Sequence, residues 1–236
     1  FEDDDEISAW KLKSDKNQGT SIKLVNQNLL NEAQHNALQW NISATRKSTV
    51  SLINNGFWGI NAVSGNTYKL TFWAKGNYKG NLKVRLSDAK TNKVYAETRI
   101  KEKIGKGWKK YNAVLTSNGN DAMAQFEFVA DGNGEIILDM VSLFPPTYKN
   151  RENGCRIDLA KMLEDLHPKF MRVPGGCFVE GKKSPENAFH WERTVGPIEN
   201  RPGHLNVNWN YRTSDGLGFH EYLQLAEDLK AKPLYV

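Results

Sequence analysis

Along residues 1–145 apolar and polar side chains alternate in short runs, and no stretch repeats at helical spacing over a useful length. The runs are Ser21–Val25, Ala37–Ile42, Thr67–Ala74, Asn81–Leu86, Lys109–Leu115, Ala124–Val129 and Glu135–Leu143. A period of two buries one face of a strand and wets the other. Turn residues fall between the runs: Ser64-Gly65-Asn66, Asn77 to Gly80, Asn118-Gly119-Asn120 and Asp131-Gly132-Asn133-Gly134. Many short antiparallel strands at this spacing predict a β-sandwich, most plausibly a jelly roll, over residues 1–145. On the run Tyr68 to Lys75, alternation puts Tyr68, Leu70, Phe72 and Ala74 on the core face and Thr71, Trp73 and Lys75 on the other.

The period changes after Pro145-Pro146, where a polar stretch to Gly154 reads as a linker. Leu159, Met162, Leu163 and Leu166 recur as on one helical face, and His167-Pro168 stops that helix. Phe170 to Val173 reads as a short buried strand. A second helix carries Phe219, Tyr222, Leu223, Ala226 and Leu229 on one face, and Leu234-Tyr235-Val236 opens another strand. Helix, strand, long loop, helix, strand is parallel α/β grammar, so residues 146–236 are expected to begin a (β/α)8 barrel. A complete barrel takes about 250 residues, so this one is incomplete within the chain. Between Gly175 and Gly218 lie roughly forty residues without periodicity, including His190, Trp191, Arg193, Arg201, His204, Trp209 and Tyr211. Such a loop follows the carboxyl end of a strand, where barrel sites sit, and its rings and donors suit a polyhydroxyl ligand.

Composition narrows the function classes. Seven Trp, eight Tyr and ten Phe stand in a chain that is only 39% apolar, with mean hydropathy −0.62. Rings in so polar a chain either stack on sugar faces or fill the sandwich core. The net charge of +5 is spread along the chain, and the one basic run, Lys101 to Lys110, is broken by Glu102, Gly105 and Gly107. It reads as a solvated hairpin edge, so nucleic acid is not an expected partner. No apolar run is long enough to span a membrane. Two cysteines, Cys155 and Cys177, make neither a disulfide framework nor a metal motif, although a single bridge is conceivable. The chain opens at Phe1-Glu2-Asp3-Asp4-Asp5 without Met, as a trimmed chain does.

Three pieces in order, Tyr68 to Lys75, Gly107-Trp108-Lys109-Lys110-Tyr111 and Ile137 to Leu143, resemble the jelly-roll carbohydrate-binding modules attached to glycoside hydrolases. The resemblance makes Trp73 and Trp58, the latter in Asn55-Gly56-Phe57-Trp58-Gly59, candidate glycan-stacking residues, against core packing or loop anchoring. It also implies a structural calcium, with Glu2 and Asp139 at the matching positions; the alternative for Asp139 is a surface or turn-pairing carboxylate.

At Arg172-Val173-Pro174-Gly175-Gly176-Cys177-Phe178-Val179-Glu180-Gly181 a second resemblance begins. It continues through Asn187 to Trp191, Thr194 to Pro197, Arg201 to His204, Asp215 to Gly218 and the helix from Glu221. In order, these resemble the family 51 glycoside hydrolases, the α-L-arabinofuranosidases, of the plant and Bacteroidetes type. Phe1-Glu2 also looks like the end of that type's NR-x-FE segment. The resemblance implies retaining hydrolysis of terminal non-reducing α-L-arabinofuranosyl groups from arabinose-containing polysaccharide by two glutamates. It implies no catalytic cofactor, and a secreted or periplasmic protein with a tendency to homo-oligomerise. None of Glu180, Glu186, Glu192, Glu199 or Glu221 matches either glutamate motif, so no catalytic residue is assigned here and the isolated chain is expected to be inactive. What carries over is the sugar-binding subsite: Cys177 after Gly-Gly, and Trp191 as the flanking aromatic. Two other readings stay open, a sugar-binding protein in which the sandwich does the work and a sandwich that is purely structural.

Overall fold

The structure, a computed structural model, describes residue 2, residue 7 and residues 9–14, 19–44, 48–182 and 184–236. Phe1 of the Phe1-Glu2 resemblance lies outside these residues. The chain divides into two compact units, Phe1–Leu30 with His35–Pro145, and Asn31–Gln34 with Pro146–Val236.

The first unit is built from eleven described strands: β1 (Trp10–Ser14), β2 (Ser21–Val25), β3 (Ala37–Ser43), β4 (Val50–Asn54), β5 (Ile60–Ala62), β6 (Thr67–Gly76), β7 (Leu82–Asp88), β8 (Val94–Arg99), β9 (Lys109–Thr116), β10 (Asp121–Ala130) and β11 (Asn133–Phe144). One sheet runs β1-β4-β10-β7-β8 with β5 also on β10, and the other runs β2-β3-β11-β6-β9. Every pairing within these sheets is antiparallel. The inward faces close on one core that includes Leu38, Trp40, Leu52, Phe72, Tyr111, Phe128 and Leu138. Tyr68, Leu70, Phe72 and Ala74 are buried, on the face that alternation assigned to the core. Phe72 stacks on Tyr111 at 5.4 Å and meets Phe128 edge-on at 5.0 Å, the offset and T-shaped arrangements that ring quadrupoles favour. The unit is a β-sandwich.

Four strands, β1, β4, β5 and β8, are not among the runs read from the sequence; β1 alternates (Trp10 and Leu12 against Lys11 and Lys13) but is only five residues long, and β4, β5 and β8 carry no clean alternation. In β4 all of Val50, Ser51, Leu52 and Ile53 are buried, so both of its faces are covered and a period of two has nothing to mark.

The second unit holds α1 (Ile157–Asp165), β12 (Phe170–Val173), a single-turn helix α2 (Cys177–Glu180), the hairpin of β13 (His204–Asn206) and β14 (Tyr211–Thr213), α3 (Phe219–Asp228) and β15 (Lys232–Tyr235). β12 and β15 pair in parallel, Phe170 opposite Lys232 and Val173 opposite Tyr235. Three details differ from expectation. Pro145 to Gly154 is not plain linker: Tyr148–Asn150 form a 3-10 turn, Tyr148 is buried, and Arg151 grips Asp228. Phe170 to Val173 is a strand, but only Val173 is buried, because among the described residues β12 has β15 as its one strand partner. The apolar face of α1 faces solvent, with Met162 67% and Leu166 75% exposed. No helix of the described residues is long and apolar enough to cross a membrane.

Candidate functional site

The aperiodic segment after β12 is held by polar side chains rather than by a core. β12 ends at the cis peptide Val173-Pro174, and Gly175 and Gly176 follow with φ of 73° and 63°. α2 then begins at Cys177 and stops at Gly181 (φ 72°). There a Cβ would lie 2.3 Å from the backbone nitrogen of Ala188, so only glycine lets the segment fold back on itself. Cys177 is exposed and its thiol is free, as is that of Cys155, so no bridge joins them. The carbonyl of Cys177 accepts from Asn208 Nδ2 at 2.9 Å. Asn208 belongs to the turn between β13 and β14, where Asn206 Oδ1 accepts the backbone N–H groups of Asn208 (3.1 Å) and Trp209 (3.3 Å). That turn presents Trp209 and Tyr211 to solvent. Behind it Phe178, Phe189 and His204 form an aromatic cluster, with ring centroids 5.3 to 6.4 Å apart. His204 Nδ1 lies 3.1 Å from Asp215 Oδ2, and its Nε2 is buried without a partner.

Arg201 is the hub of the loop. Its buried guanidinium donates to Glu221 through both Nη1 (3.0 Å) and Nη2 (2.8 Å), and to the carbonyls of Gly196 and Asp215. Gln34 donates to the carbonyls of Glu199 and Arg201. Burial pushes the Glu221 carboxyl up, but the hydrogen bonds and charge of Arg201, with backbone N–H groups including that of Gly218, hold it below the usual range. Glu221 thereby also caps α3, its Oε2 accepting the Gly218 N–H at 2.9 Å. Gly218 has no side chain to return the bond, and Thr194 Oγ1 takes the Phe219 N–H instead, at 2.8 Å. Glu221 on α3 is thus consumed by a structural ion pair and Asp215 of the loop by His204, while Glu180 is exposed.

The six residues singled out from sequence fall in different surroundings. Cys177 stands at the exposed turn just described, tied to the strand-turn that carries Trp209. Trp191 is 47% exposed and packs at 5.3 Å on Phe219, which in turn meets Tyr235 edge-on at 5.2 Å, so its contacts run to α3 and β15. Trp73 lies half-buried opposite Asp139 and Lys110, with its indole N–H buried and unpartnered, so its ring is not a free platform. Trp58 is exposed beside Phe57. Asp139 is buried rather than on the surface: Oδ1 accepts the Met140 N–H at 2.7 Å and Oδ2 has no partner. Burial pushes its carboxyl up to about 6, opposed by the Met140 N–H and reinforced by nearby Glu2. Glu2 accepts the N–H groups of His35 (3.0 Å) and Asn36 (2.9 Å). No cluster of three or more His, Cys, Asp or Glu suited to a metal occurs among the described residues. Asn208 was not singled out from sequence, and Arg201, Asp215 and Glu221 were named there only as loop or motif residues without the pairing that joins them; the one local signal was the Asn206-x-Asn208-Trp209 turn chemistry.

Residues 162–236 match the family described as the alpha-L-arabinofuranosidase 1 domain. Alpha-L-arabinofuranosidase 1 of Arabidopsis thaliana is 38% identical over 191 residues, 79% of this chain and 28% of its own length. Probable alpha-L-arabinofuranosidase A of Aspergillus flavus is 33% identical over 234 residues, 97% of this chain and 36% of its own. Among solved structures, the arabinose-bound MgGH51 α-L-arabinofuranosidase superposes with a TM-score of 0.87 at 31% identity, over 97% of this chain and 37% of that one. The chain thus spans about a third or less of the length of the relatives it matches.

Proposed function

We propose, from the premise that this chain is an α-L-arabinofuranosidase-family segment matching family 51 relatives in sequence and fold, that it serves an enzyme releasing terminal non-reducing α-L-arabinofuranosyl groups from arabinose-containing polysaccharide. The observation that carries the reading is the likeness to the arabinose-bound enzyme over 97% of the chain at 31% identity. Within the chain, residues 1–145 supply the sandwich and residues 146–236 the opening of a (β/α)8 barrel. The barrel reading is supported by the parallel pairing of β12 with β15, by α3 preceding β15, and by the uncovered apolar face of α1.

In this reading Cys177 lines the arabinose subsite, with Trp191 flanking it. An exposed thiol on a turn fixed by Asn208 offers a soft, weakly hydrogen-bonding surface to a sugar hydroxyl. Retaining hydrolysis needs one carboxylate as nucleophile and one as acid/base, about 5–5.5 Å apart. Glu221 on α3 is locked on Arg201 and Asp215 on His204, so neither buried carboxylate is free for that work. The glutamate pair belongs to the longer protein, and that protein works outside the cytoplasm.

Asp139 and Glu2 are the residues that would hold a structural calcium. The fit rests on Asp139 Oδ2, a buried carboxylate oxygen with no hydrogen-bond partner. Calcium takes six to eight oxygens, so backbone carbonyls and water would complete its shell. Bound there, the ion would pin the sandwich; it supplies no chemistry.

The test is hydrolysis of 4-nitrophenyl α-L-arabinofuranoside. The longer protein is expected to cleave it with retention of anomeric configuration, read by NMR of the first product, and the 236-residue chain to be silent. Cys177→Trp in the longer protein should raise KM more than it lowers kcat. A longer protein that leaves arabinofuranosides untouched would overturn the reading.

A further inference from the structure

His204 opens β13 and carries a polar ring into apolar company. Its side chain is 14% exposed and lies beside Phe178 of α2, at 5.3 Å, and Phe189, at 6.4 Å and edge-on. Nδ1 is 3.1 Å from Asp215 Oδ2, and Nε2 is buried with no hydrogen-bond partner among the described residues. Asp215 is itself buried, and its backbone N–H donates to Thr213 Oγ1 at 3.2 Å. From the other side Arg201 Nη1 donates to the Asp215 carbonyl at 2.8 Å. The residue whose carboxylate meets the ring is therefore fixed twice through its backbone.

These contacts select one state of the ring. An ionised carboxylate only accepts hydrogen bonds, so Nδ1 carries the proton. An imidazolium, or an Nε2–H tautomer set by a protonated Asp215, would bury an N–H donor that meets no acceptor. The neutral Nδ1–H tautomer leaves only a lone pair at Nε2.

A ring locked in this way is a rigid link. Phe178 is the residue after Cys177, and the Phe189 N–H donates to the Val179 carbonyl at 3.2 Å. Both phenyl rings on His204 thus belong to the segment that folds back around α2. His204 itself shares β13 with Asn206 and leads into the turn whose Asn208 Nδ2 holds the Cys177 carbonyl at 2.9 Å. α2 is tied to the β13–β14 hairpin through a polar contact at Asn208 and through ring contacts at His204. We propose that His204 is a positioning residue: Asp215 fixes its imidazole as the Nδ1–H tautomer, and the fixed ring holds the Cys177 turn in the shape it presents to a ligand. That the ligand is an arabinofuranosyl group rests on the functional reading above; the tie itself does not.

The tautomer is read first, on the wild-type 236-residue chain. Long-range proton–nitrogen correlation NMR at pH 7, with His204 assigned by its contacts to Phe178, should show Nδ1 protonated and Nε2 bare. A His204 that exchanges between tautomers, or carries its proton on Nε2, would overturn the proposal without any variant. Asp215→Asn then removes the carboxylate and spares the backbone, since Asn tolerates the φ of 53° at this position. It should release the ring to the other tautomer. Hydrogen exchange at the Val179 and Gly181 amides, which donate to the carbonyls of Gly176 and Cys177, should speed up about tenfold, while the sandwich amides keep their rates. Unchanged exchange at both amides would mean that the ring holds nothing. In the longer protein, Asp215→Asn should raise KM for 4-nitrophenyl α-L-arabinofuranoside about tenfold and leave kcat within about twofold, the split expected when binding shape is lost and the reacting groups are untouched. His204→Phe, which keeps a ring against Phe178 and loses the bond to Asp215, should give the same split. A wild-type KM in both variants would refute the positioning role. A longer protein that cleaves no arabinofuranoside would instead sink the functional reading, and the tautomer and exchange measurements would still decide whether His204 ties the turn.

Discussion

Glu221 is the one carboxylate of the second unit that is buried against a buried guanidinium, and its pH behaviour follows from that pairing. Its folded-state pKa is depressed, so the pair's stabilisation is present above the unfolded value near 4.5 and fades as pH falls through the folded one. Glu221→Gln should therefore cost the second unit about 3 kcal/mol at pH 7, because it leaves Arg201 charged and unpaired. The cost should shrink as pH falls below the ordinary glutamate value of 4.5, and urea titrations at pH 7 and in acid would read it; a pH-independent cost would sink the assignment. Asp139 makes the opposite case, a buried carboxyl with one unpartnered oxygen and a pKa pushed up to about 6, and the calcium proposed for it is testable. Millimolar calcium should raise the sandwich melting temperature by a few degrees, EDTA should reverse the gain, and Asp139→Asn should abolish it. No response in the wild type would leave the proton as the occupant. These residues also mark how far sequence reached. The strand end before Cys177 was legible because Pro-Gly-Gly punctuates it at short range, whereas a sugar-binding role for Cys177 came from resemblance alone. Arg201 and Glu221 meet across twenty residues of aperiodic chain, and no local pattern encodes such a pairing.

At the scale of elements, exposure alone did not decide legibility: β10, buried along Ala124–Ala130, was read as a strand, while the short alternating β1 was not. Strands with one wet face, such as β6, announced themselves by alternation; β4, covered on both faces, did not. Helix α1 was legible as a helix, yet its apolar stripe, which periodicity would send into a core, lies open along Leu159, Met162, Leu163 and Leu166. Amphipathicity reports a face that wants covering and does not say what supplies the cover. Met162→Glu with Leu166→Lys should accordingly change the stability of this chain by no more than about 0.5 kcal/mol per site, as exposed substitutions do. The same pair should reduce light scattering on concentration. If the second unit opens a barrel, as proposed above, the substitutions should be costly in the longer protein, because there further elements would bury the stripe. A loss of more than about 2 kcal/mol in the 236-residue chain itself would show that α1 already packs on its apolar side.

The two units differ most in what they bury. The sandwich closes on a core of interlocked rings and branched chains, with Trp40, Tyr68, Phe72, Tyr111 and Phe128 almost fully enclosed. In the second unit the buried apolar residues among those described are Tyr148, Ala160, Val173, Phe189, Ala226, Leu229 and Ala231, three of them alanines. Apolar burial is the dominant favourable term in folding, and the second unit relies instead on the Arg201–Glu221 and Arg151–Asp228 pairs, which break even at best against desolvation. Unfolding of the 236-residue chain should therefore proceed in two steps. Fluorescence of Trp191 and Trp209 should change at low urea, while the β-sheet circular dichroism of the sandwich persists to higher concentration. The steps can be assigned by mutation. Phe128→Ala removes a ring that contacts Trp10, Phe72 and Phe126, and should lower only the second step, by about 3–5 kcal/mol. Glu221→Gln should lower only the first. A single transition moved by both substitutions would mean that the units unfold as one cooperative body, and that the sparse core of the second is stabilised by the first.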